Sequence, residues 1–491
     1  ACSKSGRSYC GSTMVNKRKT STEIQHREKA KRKHSTPQLI NLPTDILCSI
    51  LSRLPFKEAV RTSVLSTQWK HLWCWYDKLD FSYDTIMLKS DRIRYFSARG
   101  RSINKRKFIK RVNATLRQHS GVGIEQFRVD YALLSEDADY IDMWVKYAIK
   151  SKAKELIFSF SSTRFGPIIV PYDFPFHTVN MKNGMHMRSL HLSFVSLRPP
   201  ADFTFFSDLT KLILEDVSVT DEDAQCLLTK CNQLGHLRIS YCKTLESLRI
   251  RHLNQLKHLH VENCPLLKVT ESNCGLRELH YVGPIIPLVL SGSPELKSIC
   301  IKLSSCGKSV LGSVFSKLPD NLSALEMLTL SGLEFESPLF PRFLRFISLR
   351  HLILELGISY GQERHFDVLD IAGLLEAAPL MEKFDLHMIM KCHHRRYFEK
   401  DGELRSLPPC RYSHLHTVSI SGFFGRKDQL ELTLHILRNA GGLKAMKILS
   451  RVNKLEPGEW HVGSAQQSAD GYRVASEFVR KEDHNNVVEI L

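Results

Sequence analysis

Leu234-Gly-His-Leu237-Arg-Ile239-Ser-Tyr-Cys242 is followed by Leu256-Lys-His-Leu259-His-Val261-Glu-Asn-Cys264, and the two stretches share one pattern. An apolar residue is followed by two variable ones, then apolar, variable, apolar, and Cys three positions later. The last two apolar residues alternate as one face of a β-strand does. A strand this short cannot bury its apolar face alone, so the pattern predicts a stack of coils in which each completes its neighbour's core. The Cys residues fall where the chain turns out of the strand, and they read as small buried fillers rather than nucleophiles.

The same unit recurs on both sides. It appears at Leu209, Leu276, Leu296, Leu325, Leu349 and Leu415, with looser versions at Ile124, Ala153, Met187, Met381 and Leu443. Most spacings, 20 to 34 residues, are those of leucine-rich repeats. An extra Leu245-x-x-Leu248-x-Ile250 lies only eleven residues from its neighbours, which suggests a strand on the return side of the coil. The repeat region is read as residues 124–425. Its variable strand positions include His236, Arg238, His258, His260, Glu262, Glu278, His280 and Lys302, and they face the inner surface of the predicted solenoid, which is rich in His with a few cations. One reading gives these cations an acidic or phosphorylated target segment to bind. The other treats them as exposed strand positions that tolerate any polar residue.

Upstream lies Leu42-Pro43-Thr44-Asp45-Ile46-Leu47-Cys-Ser-Ile50-Leu51-Ser-Arg-Leu54-Pro55. Its apolar residues share one helical face, with Thr44 as the expected cap, Asp45 complementing the helix dipole and Pro55 preventing continuation. A second helix follows over Phe56 to Val64, and a third starts at the N-cap Ser66 and carries Trp69, Leu72 and Trp73. Three such short helices present more apolar surface than they can bury among themselves, which points to a docked partner. Two Leu-Pro steps, a paired Ile/Leu ladder and a trailing Ser-x-x-Trp resemble the F-box, especially its plant version. That resemblance implies binding of a Skp-type adaptor, and through it a cullin and a RING subunit, by Leu42, Pro43, Ile46, Ile50, Leu51, Leu54, Pro55, Val60, Val64, Leu65 and Trp69. Thr67-Gln68 departs from the Lys-Arg common in that family.

The fold expected is α plus α/β. A three-helix F-box (37–82) leads through a basic connector (83–123) into an irregular leucine-rich-repeat solenoid with parallel strands on its curved inner face. Within the connector, Phe108, Val112 and Leu116 predict a short amphipathic helix. Its apolar stripe packs on the first repeat in one reading; in the other its basic face touches RNA or an acidic partner. Residues 426–491 read as a helix from Asp428 to Gly441 or Gly442, a strand from Leu443, and a helix from Tyr472 to Lys481. This block resembles the FBD-type C-terminus of plant F-box/leucine-rich-repeat proteins, and its expected task is to close the end of the solenoid.

The net charge of +18 is localised. Residues 1–36 hold ten Lys/Arg against two Glu, and residues 91–117 hold ten against one Asp, leaving the remainder nearly neutral. Neither segment supplies a sustained array of aromatics interleaved with its cations or a known reader motif, so nucleic acid is a disfavoured partner. Within the tail, Lys17, Arg18, Lys29, Lys31, Arg32 and Lys33 have the spacing of a bipartite nuclear import signal, or reflect chance clustering in a solvated tail. The thirteen cysteines lack paired ligand spacing. With no apolar run long enough for a membrane and no apolar leader, the expected location is nucleus or cytoplasm. Ala1 stands where a start Met is expected, and Met14 is a candidate start.

Enzyme motifs fail. Gly307-Lys308-Ser309 lacks the earlier glycine of a phosphate loop, Lys302 standing there, and Cys392-His393-His394 has no spaced ligand partners. No metal or cofactor is expected. The function implied is the substrate receptor of a Skp–cullin–F-box ubiquitin ligase, with the repeats binding the target; the alternative is a scaffold acting outside a ligase.

Overall fold

The computed structural model describes residues 42–87, 98–160, 170–178, 186–203, 206–251, 253–291, 293–303, 322–333, 345–358, 367–390, 394–451 and 465–491. Fifteen parallel strands form one sheet whose spatial order follows the chain, from Lys78–Ser82 to Val488–Ile490. Every predicted unit, strict or loose, supplies one of these strands.

Neighbouring coils stack in register. Leu237 lies beside Leu259, Leu279 and Ile299 in turn, and Ile239 beside Val261, Tyr281 and Ile301. All eight are buried. Burial of each such side chain contributes about 1.5–3 kcal/mol, so the inward pairs are the main cohesive force between coils. Backbone bonding is equally regular. The carbonyl before most strands accepts two N–H groups from the next coil, as Lys257 does from Arg277 and Glu278, at 2.9 Å each.

Strand exits repeat as well. Phe194, Asp216, Tyr241 and Asn263 each follow a strand with φ between 48° and 58°. Their amides reach the next coil's carbonyl at 2.6 to 3.0 Å. The residue after each left-handed turn is buried: Val195, Val217, Cys242 and Cys264. The two thiols therefore occupy positions that valines fill elsewhere.

The return side carries α-helices in several coils, among them Ala138–Lys150, Asp221–Thr229, Ile371–Glu376 and Lys427–Asn439. Where the Leu245 unit lies, the expected return-side strand, Ser247–Arg251, joins Val269–Asn273 and Leu288–Ser291 in a second sheet of three strands. The connector helix runs from Ala98 to Gln118, longer than the amphipathic stretch suggests, and buries Phe108, Ile109, Val112 and Leu116.

Several ends differ from expectation. Pro43, not Thr44, is the N-cap of the first helix, because its fixed φ of −56° leads directly into the turn and makes Thr44 the first helical residue. The Asp428 helix spans Lys427–Asn439; Gln429 Oε1 accepts the Arg426 and Phe424 amides, while Asp428 accepts the amide of Val368 at 3.0 Å. The final helix begins at Ala465, passes through one π-helical turn at Ala475–Val479 and ends at Glu482. Beyond it, Val488–Ile490 adds the last strand, against Met446–Ile448.

The first strand belongs to the segment assigned to the F-box. Phe56 packs edge-on against Phe81, whose ring meets Phe127 of the next strand at 5.6 Å. Tyr76 donates to the Leu54 carbonyl at 2.5 Å, and the His119 ring nitrogen Nε2 sits 2.8 Å from the Tyr76 carbonyl. The helical module and the solenoid thus share a continuous core.

Gly471 lets the final helix touch the chain at Phe423: a Cβ there would stand 2.0 Å from the Phe423 carbonyl oxygen. Gly471→Ala should lower stability by about 3 kcal/mol or more, read as a reduced urea midpoint. An unchanged midpoint would show that this crossing is not close-packed.

Candidate functional site

The first candidate surface is formed by the N-terminal helices, Thr44–Leu51 and Phe56–Arg61, and the turns after them. The predicted adaptor residues separate by depth. Leu51 and Trp69 are only 2% and 4% exposed and belong to the core with Leu47, Phe56 and Ala59. Leu42, Ile50, Leu54 and Val60 are half-buried supports. Pro43 and Pro55 lie in solvent. Ile46 is 45% exposed, Val64 85% and Leu65 61%.

The exposure of Val64 and Leu65 has a local cause. After Arg61 the helix tightens into a single 3₁₀ turn, closed by Leu65 N–H to the Thr62 carbonyl at 2.9 Å. Thr62 Oγ1 donates to the Ala59 carbonyl at 2.7 Å, and the two apolar side chains are left outside. Ser66 Oγ then caps the next turn through the Trp69 amide at 3.3 Å. Gln68, at the position that departs from the family pattern, reaches the Leu42 carbonyl at 3.5 Å. Trp75, 60% exposed, adds an apolar side chain that the sequence reading did not single out. Its signal was present, as the third tryptophan after Trp69 and Trp73.

The second candidate surface is the uncovered face of the large sheet. Register brings the predicted residues together in rows: His236 beside His258, and Arg238, His260, His280 and Cys300 in succession. Lys302 lies one row further, beside Val282. The His260 and His280 rings stack at 4.1 Å with a 7° interplanar angle.

The carboxylates of this face pair with its cations and imidazoles. Glu262 accepts from Arg238 Nη2 at 2.9 Å and from Tyr241 OH at 3.1 Å, with His260 Nε2 3.0 Å away. Glu278 pairs with His258 at 2.9 Å. Burial opposes ionisation of Glu262, yet hydrogen bonds from His260 and Tyr241 and the Arg238 charge hold its carboxyl below the usual range. Burial lowers His260, partly offset by its bond to Glu262. Burial, with the charges of His260 and Lys302, pushes His280 down to about 4. At neutral pH the centre of the face is a neutral imidazole platform beside an internally paired Arg–Glu couple.

The basic tail residues Lys17, Arg18, Lys29, Lys31, Arg32 and Lys33 lie outside the described residues, as do Lys308 and His393. Among the described residues no group of three His, Cys, Asp or Glu is placed to hold a metal ion, and no helix is long and apolar enough to cross a membrane.

A histidine ordinarily titrating at 6.5 but held at about 4 in the fold binds its proton first in the unfolded chain. Its contribution is therefore present above pH 6.5 and lost as the pH falls toward 4. Urea midpoints at pH 7, 5.5 and 4.5 should decline less steeply for His280→Gln than for wild type; parallel declines would remove His280 as the cause.

Comparison with known proteins matches both parts of the fold. Residues 39–80 match the F-box domain, and residues 115–469 match the LRR domain described as At1g61320/AtMIF1. The F-box/FBD/LRR-repeat protein At4g00160 of Arabidopsis thaliana is 25% identical over 433 residues, covering 85% of this chain and 88% of its own. The similarly named At3g52680 of that plant is 24% identical, covering 83% and 84% respectively. At1g13570, of the same description, is 27% identical over 269 residues, 55% of this chain and 54% of its own. F-box domains generally bind Skp-type adaptors. An F-box whose helices share a core with a solenoid of leucine-rich repeats, matched over most of its length, places the chain in the plant F-box/LRR-repeat family.

Proposed function

We propose that the chain is the substrate receptor of a Skp–cullin–F-box ubiquitin ligase. The observation that carries this reading is the exposure of Ile46, Val64, Leu65 and Trp75, apolar side chains left in solvent by helices that are otherwise well packed. Covering what Val64 and Leu65 expose would contribute about 2–4 kcal/mol, enough to anchor an interface whose remaining contacts supply complementarity. The adaptor would hold these side chains, with Leu42, Ile50, Leu54, Val60, Pro43 and Pro55 as further contacts and Leu51 and Trp69 supporting the helices from within.

The target would dock on the inner face of the sheet, around His236, Arg238, His258, His260, His280 and Lys302. The chain itself performs no chemistry in this reading. Thioester transfer belongs to partner subunits, and the receptor supplies proximity and orientation. The basic tail would direct the protein to the nucleus, leaving nucleus or cytoplasm as its place of action.

Capture of a plant Skp-type adaptor by the full chain tests the reading. Val64→Asp with Leu65→Asp should reduce capture by about 100-fold or more without lowering the melting temperature, since both side chains are already in water. Leu51→Ala should lower both. Equal capture by wild type and the double variant would move the adaptor site elsewhere. Adaptor bound without cullin would favour the scaffold role.

A further inference from the structure

Two successive coils leave their strands in the same way and bring two thiols side by side. Ser240 pairs with Glu262 at the strand ends, and Tyr241 and Asn263 then turn with φ of 58° and 48°. The Tyr241 amide donates to the Glu262 carbonyl at 2.8 Å, which keeps the two turns in step. Cys242 and Cys264 follow, each with its Sγ 3.6 Å from the carbonyl two residues back. Equal geometry in neighbouring coils sets these residues one coil apart, about 4.8 Å. A disulfide spans Cα separations of about 4.4–6.8 Å, so the two backbones already stand at a bridging distance.

Packing alone does not call for sulfur here, because Val195 and Val217 fill the equivalent positions of earlier coils. The two thiols also interact directly. Hydrogen bonds from the Cys242 side chain and backbone hold Cys264 below the ordinary thiol range, against its burial. The same contact, with burial, raises Cys242. One sulfur is thus the better nucleophile, and its neighbour is placed as the resolving thiol. Cys231, by contrast, is pushed up to about 12 by burial. Burial also raises Cys274, whose Sγ lies 2.9 Å from Ser272 Oγ. The pair itself lies shallow: the residues next in the chain, Lys243 and Thr244, then Pro265 and Leu266, are exposed.

We infer that Cys242 and Cys264 form an oxidation site, closed to a disulfide between neighbouring coils by a peroxide small enough to reach them. The Cys264 thiolate attacks one peroxide oxygen, the O–O bond breaks, and hydroxide leaves a sulfenic acid on Cys264. The Cys242 sulfur then attacks the Cys264 sulfur, and the sulfenyl oxygen departs as water with the proton that Cys242 gives up. Two thiols and one hydrogen peroxide become one disulfide and two waters. The bond fastens together the two coils whose strands carry the Arg238–Glu262 couple. It concerns the solenoid alone and does not depend on the adaptor or target readings.

Treating the reduced full chain with hydrogen peroxide, then alkylating and digesting it with trypsin, tests the inference by mass spectrometry. Peptides 239–243 and 258–268 should appear joined, lighter by two hydrogens than their sum, and should separate again in dithiothreitol. The oxidised chain should melt about 3 °C or more above the reduced one, because the bond closes a loop in the unfolded state. Cys242→Val and Cys264→Val each install the residue that earlier coils use. Both should stay folded and melt as the reduced wild type does, with no gain on peroxide treatment. Cys231→Ala should keep the gain. Joining only in urea, pairing of either cysteine with a third, or Cys264 carried to sulfinic acid without a disulfide would each overturn the proposal. A peroxide-dependent gain that persists in Cys242→Val would overturn it as well.

Discussion

Every coil of this protein carries two inward side chains that it cannot bury by itself. Leu237 and Ile239 are covered only because Leu259 and Val261 stand beside them in exact step. A slip of one residue would turn both aliphatics to water and bring Arg238 into the core. Register is therefore fixed by burial, and the paired amides before most strands follow from it. The rows of the open face are a by-product of the same constraint. His236 and His258 are neighbours because the leucines behind them are.

The F-box helices are bound into this order rather than tethered to it. Phe56, Tyr76 and Phe81 join the helical core to the first strand, and the next strand continues the aromatic contact through Phe127. A partner gripping Val64 and Leu65 would consequently hold the whole sheet. Flexibility between the two ends would have to come from deforming a packed core, which close packing resists.

Much of this was legible in the sequence, and the gaps have physical reasons. The repeat spacing is visible because its buried positions are almost always Leu, Ile or Val. The first strand was absorbed into the F-box although Tyr76, Leu79 and Phe81 follow the repeat pattern, because two modules share those residues. The last strand was missed because Asn485 stands where the pattern wants an apolar residue, and only Val488 and Ile490 keep the alternation. The connector helix was underestimated because its first half is largely basic and polar. On the open face, sequence spacing placed the histidines correctly but not their charge. That depends on burial, which lowers His260 and His280, while Glu262, paired with Arg238 and Tyr241, works in the opposite direction.

The in-step strands have a metrical consequence. Each added coil advances the sheet by about 4.8 Å, so fifteen strands extend over roughly 65–70 Å measured along the sheet. For a receptor anchored at one end, the coil on which cargo lands becomes a coordinate. Gaining or losing one repeat between anchor and cargo would shift that distance by a fixed increment, leaving both contact surfaces untouched. The architecture behaves as a ruler with graduations, on which reach can evolve in steps separately from recognition.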